Sequence, residues 1–481
     1  MQRRPLLAAG LLAAPWAWAQ SEAAGTPPPA YRPEDLAHAA RLRDAGLADG
    51  EAWRLVQQLC NDVGPRAAGS PGDPRAVAWA LKSLRALQLE QVRADPIEVR
   101  VWQRGPASAR LVAPVAEPLV MAALGNSVAA PEGGLEAEVA VYPDFAALKA
   151  DTLEPGKSRA HGRIVFIDQR TERTRDGRGY GAAVPARSQG AIEAAKRGAL
   201  ALAIRSIGTN HERIAHTGAM RYELGQPQIP AFAVSGPDAD RIASLHAGGV
   251  RLRMQFTLNA RSGVEVVTHN VIAELPGTDL ADEIVLLSAH LDSWDLGVGA
   301  LDDGAGVAIV SAAAGLIQRL AAQTGQRPRR TVRVVLFANE ENGFDGALDY
   351  SRRYQHQPHQ LVSESDFGAG KVWALRSRVQ PQALPMMGAI AQVLAPLGVG
   401  WPEAGRNEGS PGPDAALLMR RHRWPALQLA QDGTNYFDVH HTVHDTLDRI
   451  VPAELAQNVA CWAAAAWLVA QSPLRLTAPP A

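Results

Sequence analysis

Five stretches of the chain gather the side chains that bind divalent metals. They are His290-Leu-Asp292-Ser-Trp-Asp295, Gly299-Ala-Leu-Asp302-Asp303-Gly304-Ala-Gly306, the pair Glu340-Glu341, Glu364-Ser-Asp366-Phe-Gly368, and Phe437-Asp438-Val-His440-His441-Thr-Val-His444-Asp445-Thr446. An imidazole followed by a Gly-lined loop that carries carboxylates suits a hard or borderline divalent cation, and zinc accepts both His nitrogen and carboxylate oxygen. By itself the first fragment has a plainer explanation, with His290 hydrogen-bonded to an aspartate and Asp302-Asp303 capping a helix that begins near Gly304. The Glu340-Glu341 pair shifts that balance. Adjacent carboxylates after the apolar run Thr331 to Phe337 repel each other unless a cation sits nearby. On an extended strand end neighbours point in opposite directions, so one can ligate while the other handles the proton of a bound water. The alternatives are a surface pair opening the next helix and, for Asp366, an ordinary turn before Gly368. Three imidazoles beside acidic residues at 440–445 argue for a metal.

Charge counting favours two ions. Two Zn²⁺ carry four positive charges, which three carboxylates and one bridging hydroxide cancel. Ions about 3.5 to 4 Å apart also need a carboxylate between them.

These groups are far apart in sequence, so the fold must assemble them. Glu283 to Leu287 runs into His290, Thr331 to Phe337 runs into Glu340-Glu341, and a further strand is expected before Asp366. In open parallel sheets the active crevice lies at the carboxyl ends of the strands, where these polar ends would converge. Upstream, apolar spacing predicts helices over Glu34 to Leu47, Gly50 to Val63 and Asp73 to Leu87, then strands over Leu89 to Val101, the opening of an α/β domain. From 114 to 258 the texture changes. Strand-like Ala137 to Tyr142, Arg163 to Asp168, Leu200 to Ile204 and Ile229 to Val234 surround a polar loop from Gln169 to Arg187 and a helix from Gln189 to Arg197, which suggests an inserted β-rich domain. The expected organisation is 1–19 export signal, 20–33 linker, 34–113 and 259–475 catalytic domain, 114–258 insertion, and 476–481 tail.

Bulk properties narrow the function classes. A length of 481 residues allows more than one core. Lys plus Arg (48) nearly cancels Asp plus Glu (49), so no field of one sign recruits nucleic acid or an anionic membrane. Arg3 and Arg4, the apolar run Leu6 to Ala14, Pro15 and Ala17-Trp18-Ala19 read as a signal cleaved near Gln20, by the general or the twin-arginine route. The mature chain is then expected in the periplasm or outside the cell. That run is too short to span a bilayer, and no stable membrane insertion is expected. Cys60 and Cys461 are read as two buried thiols, with a bond between the chain ends as the alternative.

Taken together, the motifs resemble the co-catalytic two-zinc exopeptidases, and within them the carboxypeptidase Q branch. The resemblance covers nearly the whole mature chain. It is densest in Gly64-Pro-Arg-Ala-Ala-Gly-Ser-Pro71, Gln189-Gly-Ala-Ile-Glu-Ala-Ala195, Ile229-Pro230, His290 to Asp295, Asp302-Asp303-Gly304 and Glu340-Glu341. It implies an α/β fold with a mixed, mostly parallel sheet sandwiched by helices, and it makes the insertion a protease-associated domain. It implies two Zn²⁺ per subunit, with Asp302 bridging, His290 and Asp366 completing one site, and Glu341 and His441 the other. Among the three C-terminal imidazoles, His441 is chosen because the family's last ligand lies four residues before an Asp-Thr pair. Glu340 becomes the general base for a water shared by the ions, Asp292 orients His290, and a cis peptide is expected between Asp302 and Asp303. His440 takes the place where some secreted relatives carry a Tyr that polarises the substrate carbonyl. The implied substrates are dipeptides or short peptides, and a homodimer is admitted. Glu403, Glu408 or Asp414 are candidates for holding a substrate amino group and Arg406 for a carboxylate. The competing readings are another zinc hydrolase or acyltransferase on the same fold, such as a deacylase or a glutaminyl cyclase, and a non-catalytic receptor. The complete set of ligand types argues against the receptor.

Overall fold

The computed structural model describes residues 31–401 and 407–480. The expected export signal, most of the linker, Glu403 and Arg406 lie outside the described residues.

A seven-stranded sheet runs in the spatial order Glu90–Gln103, Arg261–Leu275, Arg330–Phe337, Leu280–His290, His359–Glu364, Ala426–Gln431, Val372–Arg378. The four strands from Arg330–Phe337 to Ala426–Gln431 are parallel, and the flanking pairings are antiparallel. Arg330–Phe337 is buried along its whole length because its alternate side chains enter two cores. Val332, Val334 and Leu336 pack with the helices Ala305–Thr324 and Pro452–Gln471. Val335 and Phe337 pack on the opposite face with Tyr350 of Asp345–Arg353 and with Ala415 and Leu418 of Pro413–His422. The sheet is therefore the middle of three layers, which explains why its strands read as continuous apolar runs.

Residues Ala300–Thr324 are apolar and long enough to cross a membrane, but 78% of that window is buried inside the protein. The N-terminal helix Pro33–Leu47 lies on Pro452–Gln471, and a methyl group on Gly46 would come within 2.6 Å of the Ala460 Cα, so the contact requires glycine. Cys60 and Cys461 are both buried and unbonded, the first of the two arrangements expected.

Between Glu90–Gln103 and Arg261–Leu275 the chain leaves to build a second, eight-stranded sheet. Leu135–Tyr142, Ile164–Ile167, Ala201–Arg205 and Ala231–Val234 form its parallel centre. Val165 and Ile167 face the helices Phe145–Ala150, Arg178–Ser188 and Gly190–Lys196. Ile164 and Phe166 face the opposite core, which includes Ile242 of Gly236–Ala247. Two details differ from expectation. Ala107–Ala113 pairs with Arg253–Leu258, so the second sheet starts before the expected boundary at 114; the change at Pro114 is a turn with a cis Ala113-Pro114 peptide. Within the stretch expected as a polar loop, Arg178–Ser188 is a helix. Its glycines and Pro185 argue against helix, but burial of Ala183 and Ala186 against the sheet outweighs propensity.

Candidate metal centre

The candidate ligands stand at the ends and starts of elements or in the loops between them. His290 is the last residue of Leu280–His290, Asp366 follows His359–Glu364, and Asp302 and Asp303, joined by a cis peptide, lie in the turn Ala300–Gly304 that leads into Ala305–Thr324. Glu340 and Glu341 open a single helical turn, Glu340–Gly343, behind Asn339 in the left-handed conformation. This corrects the expectation of an extended strand end. The two side chains still diverge, because successive helical residues are about 100° apart.

The structure brings all five candidate ligands together around Asp302. Its Oδ1 lies 3.2 Å from His290 Nε2, and its Oδ2 lies 3.2 Å from His441 Nε2. His290 Nε2 is also 3.6 Å from Asp366 Oδ1, and His441 Nε2 is 3.3 Å from Glu341 Oε2. The outer nitrogens fix the tautomers. His290 Nδ1 donates to the Asp292 carbonyl at 3.1 Å, and His441 Nδ1 donates to the Thr217 carbonyl at 3.3 Å. Both Nε2 lone pairs then face carboxylate oxygens, an arrangement that is repulsive unless a cation or a proton lies between. With bonds of about 2.1 Å, the edge of a tetrahedral zinc site is about 3.4 Å, close to the observed separations. Asp302 Oδ2 and Glu341 Oε1 are buried without a hydrogen-bond partner among the described residues. The donor set fits zinc.

The electrostatics are those of a pocket that attracts cations. Burial disfavours the His441 imidazolium, but Glu341 and Asp302 outweigh it and push the group up to about 9. Burial, then Asp302, pushes Glu341 up to about 7. Burial likewise raises the half-buried Glu340 well above the usual carboxylate range; His290 opposes this, while Asp366, Glu341 and Asp414 add to it.

The remaining candidates surround this core. Asp292 touches the His290 ring through its backbone carbonyl; its carboxylate, 3.7 Å from Nδ1, instead accepts the backbone N–H groups of Glu340 at 3.1 Å and Glu341 at 3.4 Å. Asp303 accepts from the backbone of His290 and of Gly306, both at 3.1 Å. His440 stacks on His441 at 3.5 Å and, among the described carboxylates, reaches Asp302 Oδ2 alone, at 3.4 Å, whereas His441 reaches two. Burial and the neighbouring His441 hold the His440 imidazole well below its ordinary range. His444 faces away and pairs with Glu212 at 2.8 Å. Glu408 is exposed. Asp414 is fully buried beside Glu364, and both of its oxygens lack partners among the described residues.

Three supporting residues have no assigned role in the sequence reading. Asp445 accepts the backbone N–H groups of Leu301 at 2.6 Å and Asp302 at 3.1 Å, which ties the loop of Asp302 to the loop of His441. Thr217 brings a carbonyl from the second sheet's unit to His441. Arg66, within the Gly64-Pro-Arg motif, is fully buried and donates to the carbonyls of Leu291 at 2.6 Å, Val298 at 2.7 Å and Gly299 at 2.9 Å. The Asp445-Thr446 spacing and the Gly64-Pro-Arg motif marked the first and last of these without revealing their partners. Removing Arg66 leaves buried carbonyls unpaired, so Arg66→Ala is expected to cost about 3 kcal/mol or more of stability. Arg66→Lys should recover little, because an ammonium cannot fork across three carbonyls. Urea unfolding of the metal-free protein checks this, and an unchanged midpoint would refute it.

The centre opens into a cavity of about 800 Å³. Asp302, Glu340, Glu341, Asp366 and His441 line it from one side, and Asn126, Tyr180, Arg187 and Met220 of the insertion line it from the other.

A sequence model described as Peptidase family M28 matches residues 270–466. Carboxypeptidase Q of Homo sapiens is 32% identical over 427 residues, which cover 88% of this chain and 86% of that protein. A solved structure of a peptidase M28 precursor from Shewanella amazonensis SB2B has a TM-score of 0.88 at 44% identity, covering 93% of this chain and 99% of its own. A zinc aminopeptidase from Bacillus subtilis shares the fold with a TM-score of 0.60 at 16% identity, over 86% of this chain and 93% of that one.

Proposed function

The chain belongs to peptidase family M28, and from that premise we propose that it is an exported exopeptidase that holds two zinc ions on Asp302, with Glu340 as its general base. Membership makes it a zinc metallo-exopeptidase acting on peptides. Its two-metal form is supported above all by Asp302, whose separate oxygens meet His290 and His441 at equal distances of 3.2 Å.

In this reading Asp302 bridges, His290 and Asp366 complete one site, and Glu341 and His441 the other. Bound zinc supplies Lewis acidity, which acidifies water and polarises the peptide carbonyl. Glu340 takes the proton of the attacking water and passes it to the leaving amine. The Asp292 carboxylate holds the backbone of both the base and its ligating neighbour, so proton transfer and metal binding share one anchor. His440, kept neutral by burial and by His441, offers a hydrogen bond to the carbonyl oxygen. The insertion is read as a protease-associated domain whose wall over the cavity restricts entry to short peptides. Arg3, Arg4 and the apolar run after them support export to the periplasm or beyond.

The test is a panel of dipeptides with free or blocked ends, assayed with and without a chelator. Unblocked dipeptides should be cleaved, the chelator should abolish cleavage, and added zinc should restore it. Loss on blocking the amino end identifies an aminopeptidase, loss on blocking the carboxyl end a carboxypeptidase, and loss on both a dipeptidase. Activity that survives complete metal removal would sink the reading.

A further inference from the structure

The segment that carries His440 and His441 is gripped by three consecutive residues of the insertion. His441 has a φ of 62°, the left-handed conformation that a residue with a side chain rarely adopts and keeps only where its surroundings enforce it. His216 is 2% exposed, and its Nδ1 donates to the carbonyl of His440 at 2.7 Å. The N–H of Thr217 donates to the carbonyl of His441 at 3.1 Å, while its own carbonyl accepts from His441 Nδ1. Gly218 follows with a φ of 136°, and a Cβ there would lie 2.8 Å from His441 Nδ1. The clasp thus holds the peptide carbonyls on both sides of the strained residue and the outer nitrogen of its ring.

The clasp has supports of its own. His216 Nε2 accepts from Asn210 at 3.1 Å, and a Cβ on Gly208 would lie 2.2 Å from that nitrogen, so glycine leaves the ring its room. Arg104, where the chain passes from the first sheet to the second, donates to the Thr217 hydroxyl at 3.0 Å and to Asp295, in the loop after His290, at 2.8 Å. One guanidinium therefore fixes the clasp against the loop that follows the other imidazole. We propose that His216 and Thr217 are positioning residues for the metal centre: the insertion holds His441 in its ligating conformation, so that docking of the insertion and zinc binding at the Glu341–His441 position are one coupled event. Relaxation of φ would swing the ring away from Asp302 and Glu341, which it meets at 3.2 and 3.3 Å. Such coupling is reciprocal, so zinc must tighten the clasp as much as the clasp favours zinc. The assignment rests on the two-zinc reading of the centre.

The test titrates zinc into the metal-free protein against a chromophoric chelator and follows backbone hydrogen exchange by mass spectrometry. The wild type should take up two equivalents, and zinc should slow exchange over residues 209–218, which supply no ligand. His216→Leu should weaken one of the two zinc affinities by about 10- to 100-fold, the usual effect of removing an outer partner of a metal ligand. It should leave the other affinity unchanged and speed exchange over residues 438–442 in the metal-free protein. His216→Asn, whose amide nitrogen can stand in for Nδ1, should recover most of both effects, and Arg104→Met should give the same loss in weaker form. A contact that serves stability alone would lower the Tm without separating the two affinities. Two unchanged affinities in folded His216→Leu overturn the proposal, and so does a wild type in which zinc leaves exchange over 209–218 unaltered, an outcome that needs no variant to fold. If the wild type takes up one equivalent, the two-zinc reading falls; the clasp then stands if zinc still slows 209–218 and His216→Leu weakens that ion, and falls otherwise.

Discussion

Glu340→Gln is expected to lower kcat by about 10²- to 10⁴-fold, the usual contribution of a positioned general base, while zinc content stays at that of the wild type. The separation of effects follows from geometry. Glu341, not Glu340, faces His441 at 3.3 Å, and the Asp292 carboxylate holds the turn through backbone N–H groups that the substitution does not alter. Glutamine keeps the size and the hydrogen bonding of the side chain but cannot accept the proton. Steady-state kinetics with elemental analysis of the same preparation measures both quantities. A variant with near-normal turnover would remove Glu340 from its role, and one that lost zinc would make it a ligand.

Asp302→Ala is expected to have the larger structural effect, the loss of both metal ions rather than one. Each of the two imidazoles meets a different oxygen of this carboxylate, so no single-site loss should leave the other intact. Ligand binding stabilises a fold by mass action, by about 4 kcal/mol when the ligand is at a thousand times its dissociation constant. The variant's Tm should therefore be insensitive to added zinc, whereas the wild type's Tm should rise. One ion retained per chain, measured after gel filtration in buffer with trace zinc, would contradict the bridging role.

The sequence made some parts of this centre readable and hid others, for physical reasons. Strands buried on both faces appear as unbroken apolar runs, so the polar residues where they stop, such as His290 and Glu340-Glu341, were easy to find. The cis peptide between Asp302 and Asp303 came from family resemblance, since no local pattern announces it. The helix Arg178–Ser188 was hidden because its stability comes from packing of Ala183 and Ala186 against a distant sheet and not from its own composition. Arg66 and the Asp292 carboxylate act on backbone groups, and Thr217 acts through its own backbone carbonyl. Backbone partners leave no residue-type signature at the other end of the contact, so no spacing rule reaches them. The choice of His441 over His440 and His444 came from family resemblance, the spacing to Asp445-Thr446, since by residue type three neighbouring imidazoles are indistinguishable.

The way in which the second sheet joins the first has a further consequence. The chain departs after Gln103 and re-enters at Arg261, and these two residues are paired across adjacent antiparallel strands. The whole excursion could be replaced by a hairpin turn without altering the order or direction of any strand in the seven-stranded sheet. Topologically it is a detachable cassette. Chemically it is not, because it carries the carbonyl that sets the tautomer of His441 and the far wall of the cavity. Replacing it would keep the fold, while changing the surroundings of His441 and the far wall of the cavity together.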